Sequence, residues 1–266
     1  MRNYQPSLGI GETSQNIRFF ISANMDVMWR VYKPLLPYIL GCYAFDAVMS
    51  ALFFSEGPNG FMLGAIVSSY FMAALAIDWH RVVIEGPDNF SAMNPFKPKK
   101  HELAFLGVGL LIGIVYVLGV GLAVFLFFAI GGQGGGAFGS ILAVAVGLYI
   151  IYKFSFYFPA KAVDSSITLK ESFGLTRGYM FRIIAAPMVA SWKLLLGVMA
   201  YGFVMGMAMY FVRTGLGPQA GWIGMFVFSL PLYIYFKPLF MVIGVTSLSN
   251  YYMHAMQNKN ESVTRL

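Results

Sequence analysis

Long runs of hydrophobic residues dominate the chain, separated by short polar or glycine-rich stretches. Apolar runs of about 20 residues are long enough to cross the roughly 30 Å hydrocarbon core of a bilayer as helices. We count six such runs, which predicts an all-α integral membrane protein with six transmembrane helices. The predicted spans are Pro34–Phe54, Phe61–Ile77, Leu103–Ile130, Ala137–Ala160, Ile183–Val212 and Ala220–Ser249.

Before the first span, residues 17–32 follow the period of an amphipathic helix. Hydrophobic side chains recur at three-and-four spacing at Ile17, Phe20, Ile21, Met25, Met28, Trp29 and Tyr32. Polar Ser22, Asp26 and Arg30 fall on the opposite face, and Ser14 is the expected N-cap. We expect this short amphipathic helix to lie along the cytoplasmic membrane interface. The alternative is a helix that packs on the protein's own cytoplasmic loops.

Two longer polar stretches predict cytoplasmic loops between the spans. Prolines in the segment 78–102 favour turns and extended backbone over a folded domain. In the second stretch, Thr168 and Glu171 have the spacing of a capping box, which predicts a short helix Leu169–Arg177. Gly178 fits the C-terminal end of that helix.

The distribution of positive charge predicts the orientation. Most of the 18 Lys and Arg residues fall on one side of the predicted spans. These residues are Arg2, Arg18, Arg30, Lys33, Arg81, Lys97, Lys99, Lys100, Lys161, Lys170, Arg177, Arg182, Lys259 and Arg265. Because positive loops stay in the cytoplasm, both termini are expected there, in a multi-pass protein of the cell inner (cytoplasmic) membrane. The predicted organisation is a cytoplasmic segment 1–33, a transmembrane domain 34–256 and a cytoplasmic tail 257–266.

Composition agrees with the membrane assignment and excludes other classes. Hydrophobic residues make up 58% of the 266 positions and charged residues only 11%, far below the usual quarter of a soluble domain. The single Cys42 excludes a disulfide within the chain, and no dense basic stripe points to nucleic acid.

The expected partners are membrane lipids, anionic ones included, and a membrane-protein partner. Lipid headgroup contact is predicted for Lys97, Lys99, Lys100, Lys170 and Arg177, unless these charges only set topology.

Three ionisable residues fall deep inside predicted spans. Asp46, Lys193 and Lys237 each lie near the middle of a span, where an ionisable group is a functional hypothesis by default. One reading is that Asp46 pairs with one lysine while the other holds an anionic ligand. The alternative is a structural ion pair whose spare lysine reaches water or a backbone carbonyl.

The sequence offers little support for an enzyme or a metal site. His80, His101 and His254 have no metal-binding spacing, and Cys42 cannot complete a zinc site. The segment 78–81 is the best acid–base cluster, but an interface anchor with Trp79 at the headgroups explains it more simply. We therefore expect no catalytic residue, no metal and no cofactor.

A local motif resembles a known membrane family. A small-residue turn is followed by a short helix ending in Leu-Thr-Arg-Gly and then by another span. The motif comprises Phe158-Pro159-Ala160, Ser172-Phe173-Gly174-Leu175-Thr176-Arg177-Gly178 and Arg182-Ile183. It resembles the polytopic YciC-like and glycerophosphodiester-phosphodiesterase membrane-domain families, whose six-span layout with cytoplasmic termini is compatible. The resemblance implies no catalytic residues, because the phosphodiesterase activity belongs to a separate soluble domain.

Two functions are consistent with these features. The leading expectation is a non-enzymatic membrane protein that supports envelope or lipid homeostasis, or that organises a partner membrane complex. The alternative is a small transporter or lipid carrier with an anionic ligand among the intramembrane charges.

Overall fold

The computed structural model describes residues 4–53, 63–217, 224 and 227–264, and within these residues it contains helices and no strand. The helices are α1 (Ile10–Ala23), α2 (Met25–Tyr32), α3 (Leu36–Phe53), α4 (Leu63–Glu85), α5 (Lys100–Phe154), α6 (Tyr157–Ala162), α7 (Leu169–Leu175), α8 (Met180–Leu216) and α9 (Lys237–Thr264). The predicted loop at 55–60, the predicted start of the last span at Ala220, and both Arg2 and Arg265 lie outside the described residues.

Five helices of the described chain are long and apolar enough to cross a membrane. They are Leu63–Glu85, Lys100–Gly132, Ala137–Ala162, Met180–Gly215 and Val227–Lys259. A shorter apolar stretch, Leu36–Met49, forms most of α3. The all-α membrane class is therefore confirmed, and the first predicted span corresponds to this shorter helix.

The two arms of α5 form an antiparallel hairpin. Gly132 reverses the chain with φ 59° and ψ −144°, a conformation that L side chains rarely adopt. The ring of Phe127 packs against Phe138, and Gly147 lets its backbone approach the ring of Tyr116. The glycine-rich stretch therefore turns the chain between two membrane-length arms, as the sequence predicts.

The amphipathic segment is two helices rather than one. α1 and α2 meet at Asn24, which departs from helical geometry with φ −124° and ψ 28°. The apolar stripe of this segment packs on α4, α8 and α9 of the protein itself, with Ile17, Val27 and Met28 fully buried. The segment therefore packs on the protein itself, although on helices rather than on cytoplasmic loops. Its position at the membrane interface stays a prediction. Ser14 is not the N-cap, because it lies inside α1 and donates to the carbonyl of Ala186 at 2.9 Å.

The second predicted span is too short, because α4 continues to Glu85. The residues 78–85 were expected in a loop, but they form the C-terminal end of this helix, which is buried as far as Val83. The loop proper covers residues 86–99 and has the turns that its prolines predict. We call the packed layer around this helix end the base. It consists of residues 4–33 and 76–106, α6, α7, and the parts of α8 and α9 that pack on them.

The last span contains a π-helical turn at Leu232–Phe236, just before α9. Pro231 and Pro238 flank this turn, and proline removes intrahelical hydrogen bonds. The hydroxyl of Tyr32 donates to the carbonyl of Tyr233 at 2.8 Å, so a carbonyl of the turn gains a partner on α2. Burial raises the pKa of Tyr32 to about 12, which keeps this donor protonated.

Candidate functional site

A buried guanidinium organises the centre of the base. Arg81 donates through Nε to the carbonyl of Ala162 at 2.7 Å and through Nη1 to the carbonyl of Ser91 at 2.9 Å. Its Nη2 donates to Oε1 of Glu102 at 2.7 Å, and its Nη1 lies 3.7 Å from Oδ1 of Asp78. One side chain thus connects α4, α5, α6 and the loop 86–99. Such a fixed fork of donors is what arginine offers and lysine does not.

The neighbours of Arg81 on α4 are equally enclosed. The indole Nε1 of Trp79 donates to Oγ1 of Thr246 at 2.8 Å, and Nδ1 of His80 lies 2.7 Å from Oγ of Ser249. Trp79 is fully buried, so the expectation that it anchors the helix at the headgroups is wrong. The polar face of α9 satisfies both side chains, which explains how they fit inside the protein.

The remaining acidic and imidazole groups of this cluster also have partners. Oδ1 of Asp78 accepts from the backbone N–H of Met93 at 2.6 Å, and Nδ1 of His101 lies 3.2 Å from Oδ1 of Asp164. No group of three His, Cys, Asp or Glu residues within the described part of the chain could hold a metal ion. The cluster is therefore built as a structural joint between helices.

Asp46, the acid predicted to lie inside the membrane, bonds backbone groups rather than a lysine. The two carboxylate oxygens of Asp46 accept from the backbone N–H groups of Gly64 and Ala65, each at 2.7 Å. These N–H groups lie in the first turn of α4, which intrahelical bonds leave unsatisfied and where the helix dipole favours negative charge. Asp46 thus ties α3 to the start of α4.

The two intramembrane lysines lie near the level of α2. The ammonium of Lys237 is 4.9 Å from the ring centroid of Tyr233, whose carbonyl bonds α2. Lys193 is exposed beside the ring of Trp192, and the next residue, Leu194, packs on the cluster that contains Val27 and Met28 of α2. The ion pairs recorded for the described residues include neither lysine and do not include Asp46. The structure does not join the three residues as an ion pair, and a ligand at them stays a prediction.

An apolar groove runs along the α5 hairpin. Its cavity of about 440 Å³ falls within the range of about 300–1,000 Å³ that is usual for small-molecule sites. The lining residues are Val108, Leu111, Ile112, Val115, Tyr116, Gly119, Val120, Ala123, Leu142, Ala143, Val146, Gly147, Ile150, Ile151, Phe154 and Leu169. None of them is charged, and both arms contribute. Leu169 adds the start of α7, so one end of the groove meets the base.

The basic residues predicted to contact headgroups surround this hairpin at the base. Lys97, Lys99, Lys100, Lys170 and Arg177 all have exposed side chains. The half-buried Lys153 lies beside α7, with its ammonium 4.8 Å from the ring centroid of Phe173. Headgroup contact itself stays a prediction.

Sequence reasoning missed the groove, and it singled out the segment 78–81 without finding that Arg81 is buried against Glu102. The groove needs small residues on the facing sides of two arms, and Gly119, Ala123 and Gly147 are a weak signal among 29 glycines. The Arg81 cluster has a stronger signal, because Asp78, His80 and Arg81 directly continue an apolar run without a glycine or proline to end it.

Comparison with protein-family models, with curated proteins and with solved structures returns no match. The resemblance to the YciC-like and phosphodiesterase membrane-domain families therefore rests on the motif around residues 158–183 alone.

Proposed function

We propose that this chain is a non-enzymatic, multi-pass protein of the cell inner membrane that supports lipid homeostasis by holding a lipid on its α5 hairpin. The observation that carries this proposal is the apolar groove between two helical arms of membrane-spanning length, one end of which meets a base rich in positive charge. In this proposal α3 is the first of six spans, and both termini lie in the cytoplasm.

The groove favours lipid holding over the transport of an ion or polar solute. A path for such a solute needs polar or ionisable groups facing a shared cavity inside the membrane. Asp46 instead caps a helix, Lys193 lies on the exposed side of α8, and the groove lining has no charge. In the Arg81 cluster, Asp78, Glu102, His80 and His101 all have hydrogen-bond or ion-pair partners, which gives no support to an acid–base site there.

The test compares two glycine variants of one helix. Gly119 lines the groove and Gly121 does not, and a Cβ atom added at either position meets nothing within 4 Å. Gly119→Leu should therefore extend into the groove, while Gly121→Leu adds the same bulk to another face of the same arm. Native mass spectrometry after gentle extraction should show a lipid on the parent and on Gly121→Leu, and less of it on Gly119→Leu. Equal lipid on all three proteins, or none on the parent, would contradict the proposal.

A second candidate function is the organisation of a membrane-protein partner. Large side chains are exposed along the outer sides of both α5 arms and of α8, among them Phe125, Ile141 and Phe203. Lipid can cover such surfaces, and so can the helices of another protein, because lipid tails and apolar side chains are similarly apolar. A protein subunit that co-purifies with Gly119→Leu as well as with the parent would favour this candidate.

A further inference from the structure

Two lysines lie next in sequence to residues at the basal end of the groove. Within the described residues, neither lysine forms an ion pair with a carboxylate. Lys153 directly precedes the groove residue Phe154, and Lys170 directly follows the groove residue Leu169. The four recorded ion pairs involve other residues. Two lysines are thus next in sequence to residues that line the basal end of an uncharged groove.

The ammonium of Lys153 is held at this end by two aromatic rings. It lies 4.8 Å from the ring centroid of Phe173 and 5.6 Å from that of Tyr149, both within the range of cation–π attraction. Phe173 also contacts Phe154 with a ring-centroid distance of 5.8 Å, so α7 is packed against the end of α5. This packing brings the segment that carries Lys170 to the same end of the groove.

The acid next to Lys170 in sequence is directed elsewhere. Oε2 of Glu171 accepts from the backbone N–H and the hydroxyl of Thr168 at 2.9 Å and 3.0 Å, and Oε1 faces Lys259 at 3.4 Å. The carboxylate of Glu171 is therefore engaged by Thr168 at the start of α7 and by Lys259 of α9. Neither Lys153, whose ammonium lies over aromatic rings, nor the exposed Lys170 forms an ion pair among the described residues.

These observations point to a lipid with a negative headgroup. A hydrocarbon tail gains little by moving from the bilayer into an apolar groove, since both surroundings are equally apolar. Preference among lipids must then come from the headgroup, and lysines near the surface attract anionic headgroups. We infer that the groove binds an anionic glycerophospholipid, with one acyl chain between the α5 arms and its phosphate between Lys153 and Lys170.

The inference rests on the proposed function and can fail separately from it. Native mass spectrometry would titrate the delipidated protein with phosphatidylglycerol and with phosphatidylcholine of the same chain lengths. The parent should prefer phosphatidylglycerol. Lys153→Gln/Lys170→Gln should weaken phosphatidylglycerol binding by roughly 30-fold, as expected for two surface lysines. Phosphatidylcholine binding should weaken much less, because its choline cation already compensates the charge of its phosphate.

The matched control is Arg18→Gln/Lys33→Gln, which removes two exposed charges from the base away from the groove. It should keep the preference of the parent within about twofold, and unchanged thermal unfolding of both variants would show intact folds. An equal loss in the control would overturn the inference in favour of general surface charge. Equal binding of both lipids, abolished by Gly119→Leu, would overturn the inference and keep the proposed function. Binding of neither lipid would overturn both.

Discussion

Arg81 shows how single residues join distant segments of this chain. Its donors reach a carbonyl 81 positions away at Ala162 and a carboxylate 21 positions away at Glu102. Asn250 plays a similar part at the N-terminus, because its amide accepts from the N–H of Ser7 and donates to the carbonyl of the same residue, each at 2.8 Å. Each of these polar side chains is buried and bonded, so it fixes which surfaces meet.

Replacement of Arg81 by methionine should destabilise the protein through the partners it leaves behind. Arg81→Met leaves the carboxylate of Glu102 buried without its guanidinium, and breaking a buried pair in this way costs roughly 3–5 kcal/mol. Arg81→Met/Glu102→Leu should be more stable than Arg81→Met, because it removes the orphaned charge. Urea unfolding in mixed micelles, followed by tryptophan fluorescence, measures both. The exposed Lys100→Met is the control, and a single variant as stable as this control would contradict the role of Arg81.

Sequence analysis was wrong about the positions or partners of some polar residues. Their partners in the structure are either distant in sequence or backbone groups. Asp46 was weighed against Lys193 and Lys237, but its partners are two backbone N–H groups, which no side-chain pattern reveals. Trp79 was expected at the headgroups, yet it bonds Thr246, 167 positions away. A sequence shows that such groups are costly to bury, but it does not show which distant group compensates them.

Among the elements, α7 is a short helix whose N-terminal cap includes an ionisable side chain, that of Glu171. Thr168 and Glu171 form the predicted capping box. Hydrogen bonds from Thr168 and Lys259 hold the pKa of Glu171 below its ordinary value. Since the pKa is lower in the folded protein, this carboxylate stabilises the fold above its unfolded pKa of about 4.3 and stops doing so as pH falls through the folded value.

Glu171→Ala should therefore reduce the acid sensitivity of the folded protein. The parent is expected to lose thermal stability as pH falls below about 4.3, with part of that loss due to protonation of this cap. The variant should be less stable at neutral pH, and its unfolding temperature should fall less across the acidic range. Glu12→Ala, which replaces another exposed carboxylate in the first turn of a helix, is the control. Identical pH profiles of the unfolding temperature for the parent and Glu171→Ala would show that the cap does not contribute to the pH dependence of stability.

Helices made of long hydrophobic runs could be predicted from the sequence. The residues at which these helices begin and end were predicted less accurately. The arms predicted at 103–130 and 137–160 agree closely with Lys100–Gly132 and Ala137–Ala162, because long apolar runs bounded by glycines leave few alternatives. The predicted helix Leu169–Arg177 was also found, although it ends at Leu175. The second span was ended too early at Ile77, because polar residues that follow an apolar run suggest solvent unless their partners are known.

At the scale of the whole molecule, the base and the α5 hairpin differ in how they are stabilised. The base buries tightly packed aromatic and polar side chains from both ends of the chain, including Tyr4, Trp79 and Tyr251. The hairpin arms expose apolar side chains along most of their length, so their surroundings must be lipid or another membrane protein. This division supports the placement of the base at the membrane surface and of the hairpin across the bilayer.

Labelling of single cysteines should place the base and the tip of the hairpin on opposite sides of the membrane. The first arm has 33 residues, or about 50 Å of helix, which exceeds the roughly 30 Å hydrocarbon core. In a Cys42→Ala background, Gly131→Cys at the tip should react with an impermeant maleimide in intact cells, and Ser22→Cys on α1 only after permeabilisation. Gly121→Cys, within the lipid-facing arm, should react in neither case. Labelling of Ser22→Cys from outside would invert the proposed orientation, and labelling of both sites from one side would contradict a spanning hairpin.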